Sequence, residues 1–462
     1  MEIARFKYAI LKVVIKLLLI VVFILTGFFA YRFFSQNEAV PFVNESQTEK
    51  IFVEKIPGSK FHSPDATWWG YNQSKIVRFK DLVFMYIIEN LDDSSKTLSN
   101  FVVYIKDGNK PWQKGASFPT SRPGNILIDS SGVLHAFVFE PTDVVKNDSR
   151  GKLIHYFFPN SNLGDITNYE KETVVEEKED VETVNIRIGA AIGEDDTMAI
   201  GFGLTTYNPL YQGHSEQVYF KKPQDPQWSH LIAGENLGHD WFYPFVIASK
   251  DGFQLLPIQD DYVKTDDPGV YSNLYQKIMY LNYKDGVWKK EIIADLTSHP
   301  LAQKRYRLLE QSEFFEDSFG KIHIIYKESL DPLTQWKVTG FKHLVKTGDK
   351  WNTKEIDQED KNLGWIRIFE VDSKIYYLGT SWNKVFLKGA DSAKWVELDT
   401  PADVKAIYPY VATRKGGTKD GGNYVDVLLL GADKKEYDTT SHYYLKIPKK
   451  EILEGLFYRK SE

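Results

Sequence analysis

The chain has 462 residues, 42% of them apolar and 15% aromatic, with 57 basic against 63 acidic side chains. That is material for a large core, and it excludes a disordered chain or a small disulfide-stapled module. The formal charge of -6 and pI near 6.0 argue against nucleic acid as a partner, and the lack of any cysteine excludes disulfides, a zinc-thiolate site and a cysteine nucleophile.

The N-terminus carries the first element. Leu17 to Tyr31 is uncharged and rich in Leu, Ile, Val and Phe, between Lys16 and Arg32. Lys12 and Lys16 can snorkel, so Tyr8 to Phe34 reads as one transmembrane helix. The rival is a cleavable signal peptide, but neither Ala30 nor Ala39 has the small residue that cleavage wants at the matching upstream position. Arg5, Lys7, Lys12 and Lys16 before the span put the N-terminus in the cytoplasm and the remaining chain outside. Residues 1–34 are therefore expected to form a stub and anchor, 35–48 a tether, and 49–462 the folded part.

Beyond the tether, short apolar runs alternate with Asp-Gly and Pro-containing turns, the signature of strands. Asp129-Ser130-Ser131-Gly132 with His135 and Phe139 matches Asp317-Ser318-Phe319-Gly320 with His323 and Tyr326, and Lys250-Asp251-Gly252 begins a looser copy. A second turn recurs later in each unit and ends on tryptophan, as in Asp285-Gly286-Val287-Trp288, Gly348-Asp349-Lys350-Trp351 and the stretch from Lys106 to Trp112. Trp228, Trp288 and Trp351 are spaced by 60 and 63 residues, and Tyr169 replaces the tryptophan of one unit between Trp112 and Trp228. Four strands at this period make a propeller blade. The expected fold is all-β, a seven-bladed propeller whose first strands begin near Trp68, Gly124, Asn185, Tyr243, Leu309, Trp365 and Tyr408. Residues 49–57 are expected to close the ring, with Phe52 to Ile56 as outer strand of the last blade.

These Asp-x-x-Gly-x-(Leu/Ile)-His and Asp-Gly-x-Trp units resemble those of the sialidase-like, BNR-repeat propeller superfamily, with the Asp-box in degraded form. That superfamily includes hydrolases, lyases, lectins and non-catalytic scaffolds, so the resemblance implies a fold and leaves activity open. It also implies arginines from several blades that clamp a carboxylate. The Arg122-Pro123 and Tyr306-Arg307-Leu308 contexts match the superfamily's Arg-Ile-Pro only in part.

Candidate ligand contacts are Arg122, His239, Trp241, Arg307 and Arg367, all near the starts of innermost strands, which converge on the central funnel. Guanidinium groups suit planar anions, so an anionic sugar is a sensible ligand; the competing reading pairs these arginines with carboxylates of adjacent blades. Adjacent residues on a strand point opposite ways, so His239 and Asp240 are no dyad. His135 and His323 recur in register with the repeat and read as structural. The acidic run from Glu170 to Glu182 reads as a solvated loop or outer strand. Asp260, Asp261, Asp266 and Asp267 lack EF-hand spacing, and no phosphate loop or catalytic motif is present, so no metal or cofactor is expected. The function expected is non-catalytic binding of a glycan or an extracytoplasmic protein partner. The alternative is a glycoside hydrolase or polysaccharide lyase acting on an anionic glycan.

Overall fold

The computed structural model describes residues 50–56, 74–90, 99–120, 124–141, 151–176, 187–208, 211–233, 241–249, 252–259, 261–264, 271–274, 276–302, 306–333, 337–359, 361–401, 404, 408–419, 422–431 and 442–455. The described residues form an all-β propeller of seven four-stranded antiparallel blades. Residues 1–49 lie outside them, so the expected anchor does too. Among the described residues no helix is long and apolar enough to cross a membrane.

Thirty strands are named in chain order. Strand β1 (Phe52–Lys55) comes first. Blade 1 is then β2 (Ile76–Phe79), β3 (Leu82–Asn90), β4 (Ser99–Asp107) and β5 (Gln113–Thr120). Blade 2 is β6 (Asn125–Ile128), β7 (Leu134–Pro141), β8 (Gly151–Phe158) and β9 (Glu170–Glu176). Blade 3 is β10 (Arg187–Ile192), β11 (Met198–Asn208), β12 (Tyr211–Lys221) and β13 (Ser229–Ile232). Blade 4 comprises β14 (Trp241–Ser249), β15 (Gly252–Gln259), β18 (Lys277–Lys284) and β19 (Val287–Asp295), with the hairpin β16 (Asp261–Lys264) and β17 (Tyr271–Leu274) beside it. Blade 5 runs β20 (Leu309–Glu316), β21 (Ile322–Glu328), β22 (Gly340–Thr347), β23 (Lys350–Ile356). Blade 6 is β24 (Trp365–Val371), β25 (Lys374–Ser381), β26 (Lys384–Gly389) and β27 (Val396–Glu397). Blade 7 is β28 (Tyr408–Val411), β29 (Tyr424–Leu430) and β30 (His442–Pro448), with β1 paired against β30 as its outer strand.

Six innermost strands begin within about two residues of their predicted starts, and the acidic run supplies outer strand β9. The first differs: the innermost strand of blade 1 begins at Ile76, and Trp68 lies outside the described residues. Sequence patterning alone also does not anticipate the short helix α1 (Lys449–Leu453) that follows β30.

The core lies between the blades. Strand β3 shows why these sequences run apolar without alternation. Phe84, Tyr86 and Ile88 face blade 2, while Val83, Met85 and Ile87 on the other side of the pleat face blade 7. Seven apolar clusters fill the seven interfaces in this way. Both faces of an inner strand are thus buried, which removes the polar face of an ordinary antiparallel sheet.

The two recurrent turns now have physical explanations. In the Asp-Ser-x-Gly turn, Asp129 Oδ1 accepts from the backbone N–H groups of Ser131 and Val133 at 2.9 and 2.8 Å. Asp317 does the same with Phe319 and Lys321. The glycine takes the left-handed backbone the turn requires, with φ of 86° at Gly132 and 75° at Gly320. The serine reaches the next blade: the Ser130 N–H donates to Asp196 and the Ser318 N–H to Glu370.

The tryptophan turn builds a clamp. A lysine at the end of a blade's third strand and the tryptophan of its fourth grip a glutamate of the preceding blade. Lys221 Nζ meets Glu172 at 2.7 Å while Trp228 Nε1 donates to it at 3.0 Å. Lys346 and Trp351 hold Glu291 likewise, the indole at 2.7 Å. Lys388 lies 3.7 Å from Glu359, whose carboxylate accepts from the Trp395 backbone N–H. At the junction of last and first blades, Lys106 Nζ meets Glu54 of β1 at 2.7 Å and sits over the Trp112 ring.

That junction also holds a buried ion pair. Arg78 of β2 makes a two-point ion pair with Asp426 of β29, Nε–Oδ2 at 2.5 Å and Nη2–Oδ1 at 2.6 Å. The Tyr444 hydroxyl donates to the same carboxylate at 2.5 Å, and Arg78 and Asp426 are 6% and 1% exposed. Deleting residues 49–57, which removes β1 and Glu54 together, is expected to lower the melting temperature sharply. Deleting residues 36–44 is expected to leave it unchanged, because the sequence reads that stretch as part of a polar tether. Equal melting temperatures for the two deletions would place the closure elsewhere.

Candidate functional site

The innermost strands β2, β6, β10, β14, β20, β24 and β28 contact one another in cyclic succession around the axis. They enter from one face of the propeller and run out onto the other through their turns to the second strands. On the exit face, the connection from β28 to β29 folds across the axis. Its 3-10 turn Arg414–Gly416 touches β6, β10 and β20, strands from three other blades. Lys415 Nζ reaches inward to donate to Glu313 of β20 at 2.9 Å and to the Phe314 carbonyl at 3.3 Å. Arg414 pairs with Glu194, and Lys419 Nζ with Asp196 at 3.2 Å, both in blade 3. Thr418 Oγ1 accepts from the Arg78 backbone N–H at 2.9 Å. Gly417 lies so close to the Ile128 carbonyl that a Cβ there would sit 1.8 Å from the oxygen, which is why this basic loop carries glycine at its crossing. The loop is a plug.

Two clefts flank the plug and share Arg414, Lys419 and Ser318. The larger, about 280 Å³, extends over the turns of blades 5 to 7 and is lined by Glu370, Asp372 and Lys449. The smaller, about 150 Å³, lies toward blades 3 and 4 and includes Glu194, Ser249 and Glu316. Burial pushes Glu316 above the usual carboxylate range, against the opposing pull of a hydrogen bond from Ser249 at 2.7 Å. These cleft residues do not figure among the sequence-predicted contacts. The signal available was the run from Arg414 to Lys419, a glycine-rich basic insertion where the other blades have turns of two or five residues.

The predicted contacts are not assembled into one described site. Arg122 and His239 lie outside the described residues, and Trp241 is described only as the first residue of β14. Arg307 is half-buried on the approach to β20. Arg367 is fully described and 3% exposed. Its Nε donates to the Pro409 carbonyl at 2.9 Å, Nη1 donates to the Ser312 carbonyl, and Nη1 lies 3.8 Å from Glu313. It therefore ties blade 6 to blades 5 and 7.

The repeated histidines form two buried relays. His135 Nδ1 meets His155 Nε2 at 2.9 Å, and His155 Nδ1 meets Glu172 at 2.8 Å. In blade 5, His323 Nδ1 meets His343 Nε2 at 2.9 Å, His323 Nε2 meets Asp317 at 3.2 Å, and His343 Nδ1 meets the Tyr377 hydroxyl at 2.7 Å. One arrangement with every imidazole neutral satisfies all these bonds. In blade 2 His135 donates to His155, which donates to Glu172; in the other relay Tyr377 of blade 6 donates to His343 of blade 5, which donates to His323, which donates to Asp317. Burial pulls His155 down to about 4 even against Glu172, and burial with its histidine neighbour pulls His343 down to about 3. Among the described residues no group of His, Asp and Glu is arranged to hold a metal ion.

No family model matches this sequence, and no curated protein matches it. Solved structures do. An ulvan lyase described as a new polysaccharide lyase family is similar at 10% identity and TM-score 0.54, over 86% of this chain and 96% of that one. A Trypanosoma rangeli sialidase with a bound inhibitor matches at 9% identity and TM-score 0.43, over 87% of this chain and 61% of that one. At such identities the likeness concerns the fold alone. At that level the chain shares the β-propeller fold.

The relays generate a pH dependence. Histidines neutral in the fold but titrating near 6.5 when unfolded contribute fully above that value. Their contribution is lost as pH falls from about 6.5 toward 4 and 3. The melting temperature is expected to be level near pH 7–8 and to decline below pH 6.5. A His155→Gln/His343→Gln protein should show a shallower acid decline in the same scan. An unchanged slope would mean that the relays do not set it.

Proposed function

We propose that this chain is a binding module without catalytic activity, which recognises a glycan or an extracytoplasmic protein partner on a face of its propeller. The single observation that carries the reading is where the titratable groups stand. The described histidines and tyrosines with resolved shifts are held as neutral groups by burial, with His343 down at about 3 and Tyr410 up at about 12. Acid–base catalysis works best with a group tuned near the operating pH. The cleft cations Arg414 and Lys419 are already fixed by carboxylates of blade 3, which gives a rigid polar surface. Arg122, Arg307, His239 and Trp241 are the contacts proposed for the entrance face, with Arg367 behind them in the channel.

One observation favours the enzymatic alternative, hydrolysis or lysis of an anionic glycan. Glu316 is a carboxyl with a raised pKa that lines a cleft beside Asp317. We also propose that Tyr8 to Phe34 anchors the chain, N-terminus in the cytoplasm and propeller outside. This rests on the lysine asymmetry of residues 1–34. Intact-mass measurement of the membrane fraction is expected to show residues 1–34 retained. A mature N-terminus between Ala30 and Val40 would overturn the anchor.

A glycan array probed with the fragment from Gln47 onward tests the binding reading. Losing one charge-assisted arginine contact is expected to weaken binding by about 1.5–3 kcal/mol, roughly ten- to a hundredfold, with the fold unharmed. Loss through Arg307→Ala would locate the ligand on the entrance face, and loss through Arg414→Ala on the exit face. Turnover of an acidic polysaccharide that Glu316→Gln abolishes would replace the binding reading with the enzymatic one.

A further inference from the structure

The channel holds an imbalance of charge that neither the plug nor the blade contacts resolve. Lys75, two residues into the described approach to blade 1, is 2% exposed. Its Nζ lies 4.5 Å from the centroid of the Tyr86 ring and 5.3 Å from that of Tyr410. Arg367, from the far side of the β24–β28 junction, places its Cζ 5.0 Å from the same Tyr410 ring. Two buried cations thus share one aromatic ring, which holds them no farther apart than those two distances together.

Their donors are not matched by acceptors. Two of the three Arg367 nitrogens bond to carbonyls, while Nη2 is buried and has no hydrogen-bond partner. The Tyr410 hydroxyl, at a residue 3% exposed, makes no well-formed hydrogen bond either, although Arg367 lies close enough to interact with it. The nearby carboxylate is Glu313, and it is already committed. One oxygen takes the Lys415 ammonium at 2.9 Å and the other faces Arg367 Nη1 at 3.8 Å. Arg367 and Lys415 therefore share Glu313, and among the described residues Lys75 is paired with no carboxylate. Tyrosine faces give partial relief to a cation, but a buried unpaired charge costs several kcal/mol. Burial, with Arg367 adding to it, drives the Lys75 pKa well below its ordinary value, toward the neutral amine, so that keeping the ammonium form there calls for a counter-anion.

We infer that Lys75, Arg367 and Tyr410 form a buried binding site for one small monovalent anion inside the channel. The ammonium N–H groups, the free guanidinium nitrogen and the phenol O–H are all donors, and an anion is the ligand class that accepts from all three at once. The anion would supply the countercharge that Glu313 cannot, and it would link blades 1, 6 and 7 through their innermost strands. Hard spherical ions and the carboxylate of an organic acid share this chemistry, and salts distinguish them.

The test is thermal unfolding of the full chain in sodium gluconate, chloride, bromide, acetate and sulfate at fixed ionic strength. Chloride or bromide is expected to raise the melting temperature saturably, by roughly 2–4 °C over gluconate, as for any ligand that binds only the folded state. A larger effect of acetate than of halide would identify the carboxylate of an organic ligand as the natural occupant, and it would support the site equally. Tyr410→Phe and Lys75→Met, both close in volume to the native residues, are expected to abolish the anion-specific rise while preserving the fold. Crystals grown in bromide should show an anomalous peak between Lys75 and Tyr410. Identical melting temperatures in all salts, or a rise that survives both substitutions, would overturn the proposal.

Discussion

The structure depends on closing a ring between two ends of a chain. A propeller blade cannot bury its own faces; each needs a neighbour on both sides, so the first and last blades must meet or two apolar faces stay wet. The seam is built from distant sequence. Arg78 of blade 1 and Asp426 of blade 7 form the buried two-point ion pair, Tyr444 completes the carboxylate's bonding, and β1 brings Glu54 back to Lys106. Removing either partner of so buried a pair leaves an unpaired charge, at a cost of about 3–5 kcal/mol. Phe52 and Trp112 pack edge-on against Tyr444 over the same junction, which excludes water from the ion pair and strengthens it.

The interfaces of blades 2 with 3 and 4 with 5 use a variant of the same device. A lysine and a tryptophan separated by one hairpin turn reach backward to a glutamate about 50 to 60 residues earlier, and the Asp-Ser-x-Gly turns reach forward to the next blade. Blade 5 is thereby held from both sides, to blade 4 through Glu291 and to blade 6 through Glu370. The plug from Arg414 to Lys419 then ties blade 7 to blades 1, 3 and 5 across the axis, so the ring is braced by its spokes and also through its centre.

What was legible in the sequence follows from the range of each interaction. The Asp-x-x-Gly-x-x-His turn and the tryptophan turn are local, within about seven residues, so they recur visibly and count the blades. Tyr169 stands in for the missing tryptophan because its ring fills the same space, against Phe118, Tyr156 and Phe158. The structural reading of His135 and His323 follows from their register; that each would meet a second histidine, twenty residues on, needed the pairing of strands. Arg78 with Asp426 is separated by 348 positions, and no pattern in the sequence marks it. Arg367 was legible as a residue of an innermost strand and, in the competing reading, as a tie to adjacent blades through carboxylates; that its hydrogen bonds go to the Pro409 and Ser312 carbonyls was not, because any sequence supplies carbonyls. Lys75 was invisible for a similar reason: nothing about a single lysine announces a channel.

Ring closure at the Arg78–Asp426 seam is tested most directly by a double-mutant cycle. Urea unfolding of the native chain, Arg78→Met, Asp426→Asn and the double variant gives the coupling energy between the two side chains. The account predicts a coupling of at least about 2 kcal/mol, with the double variant more stable than the sum of single losses implies. Losses that add to within about 0.5 kcal/mol would contradict it, because the pair would then contribute nothing jointly to holding the ring shut.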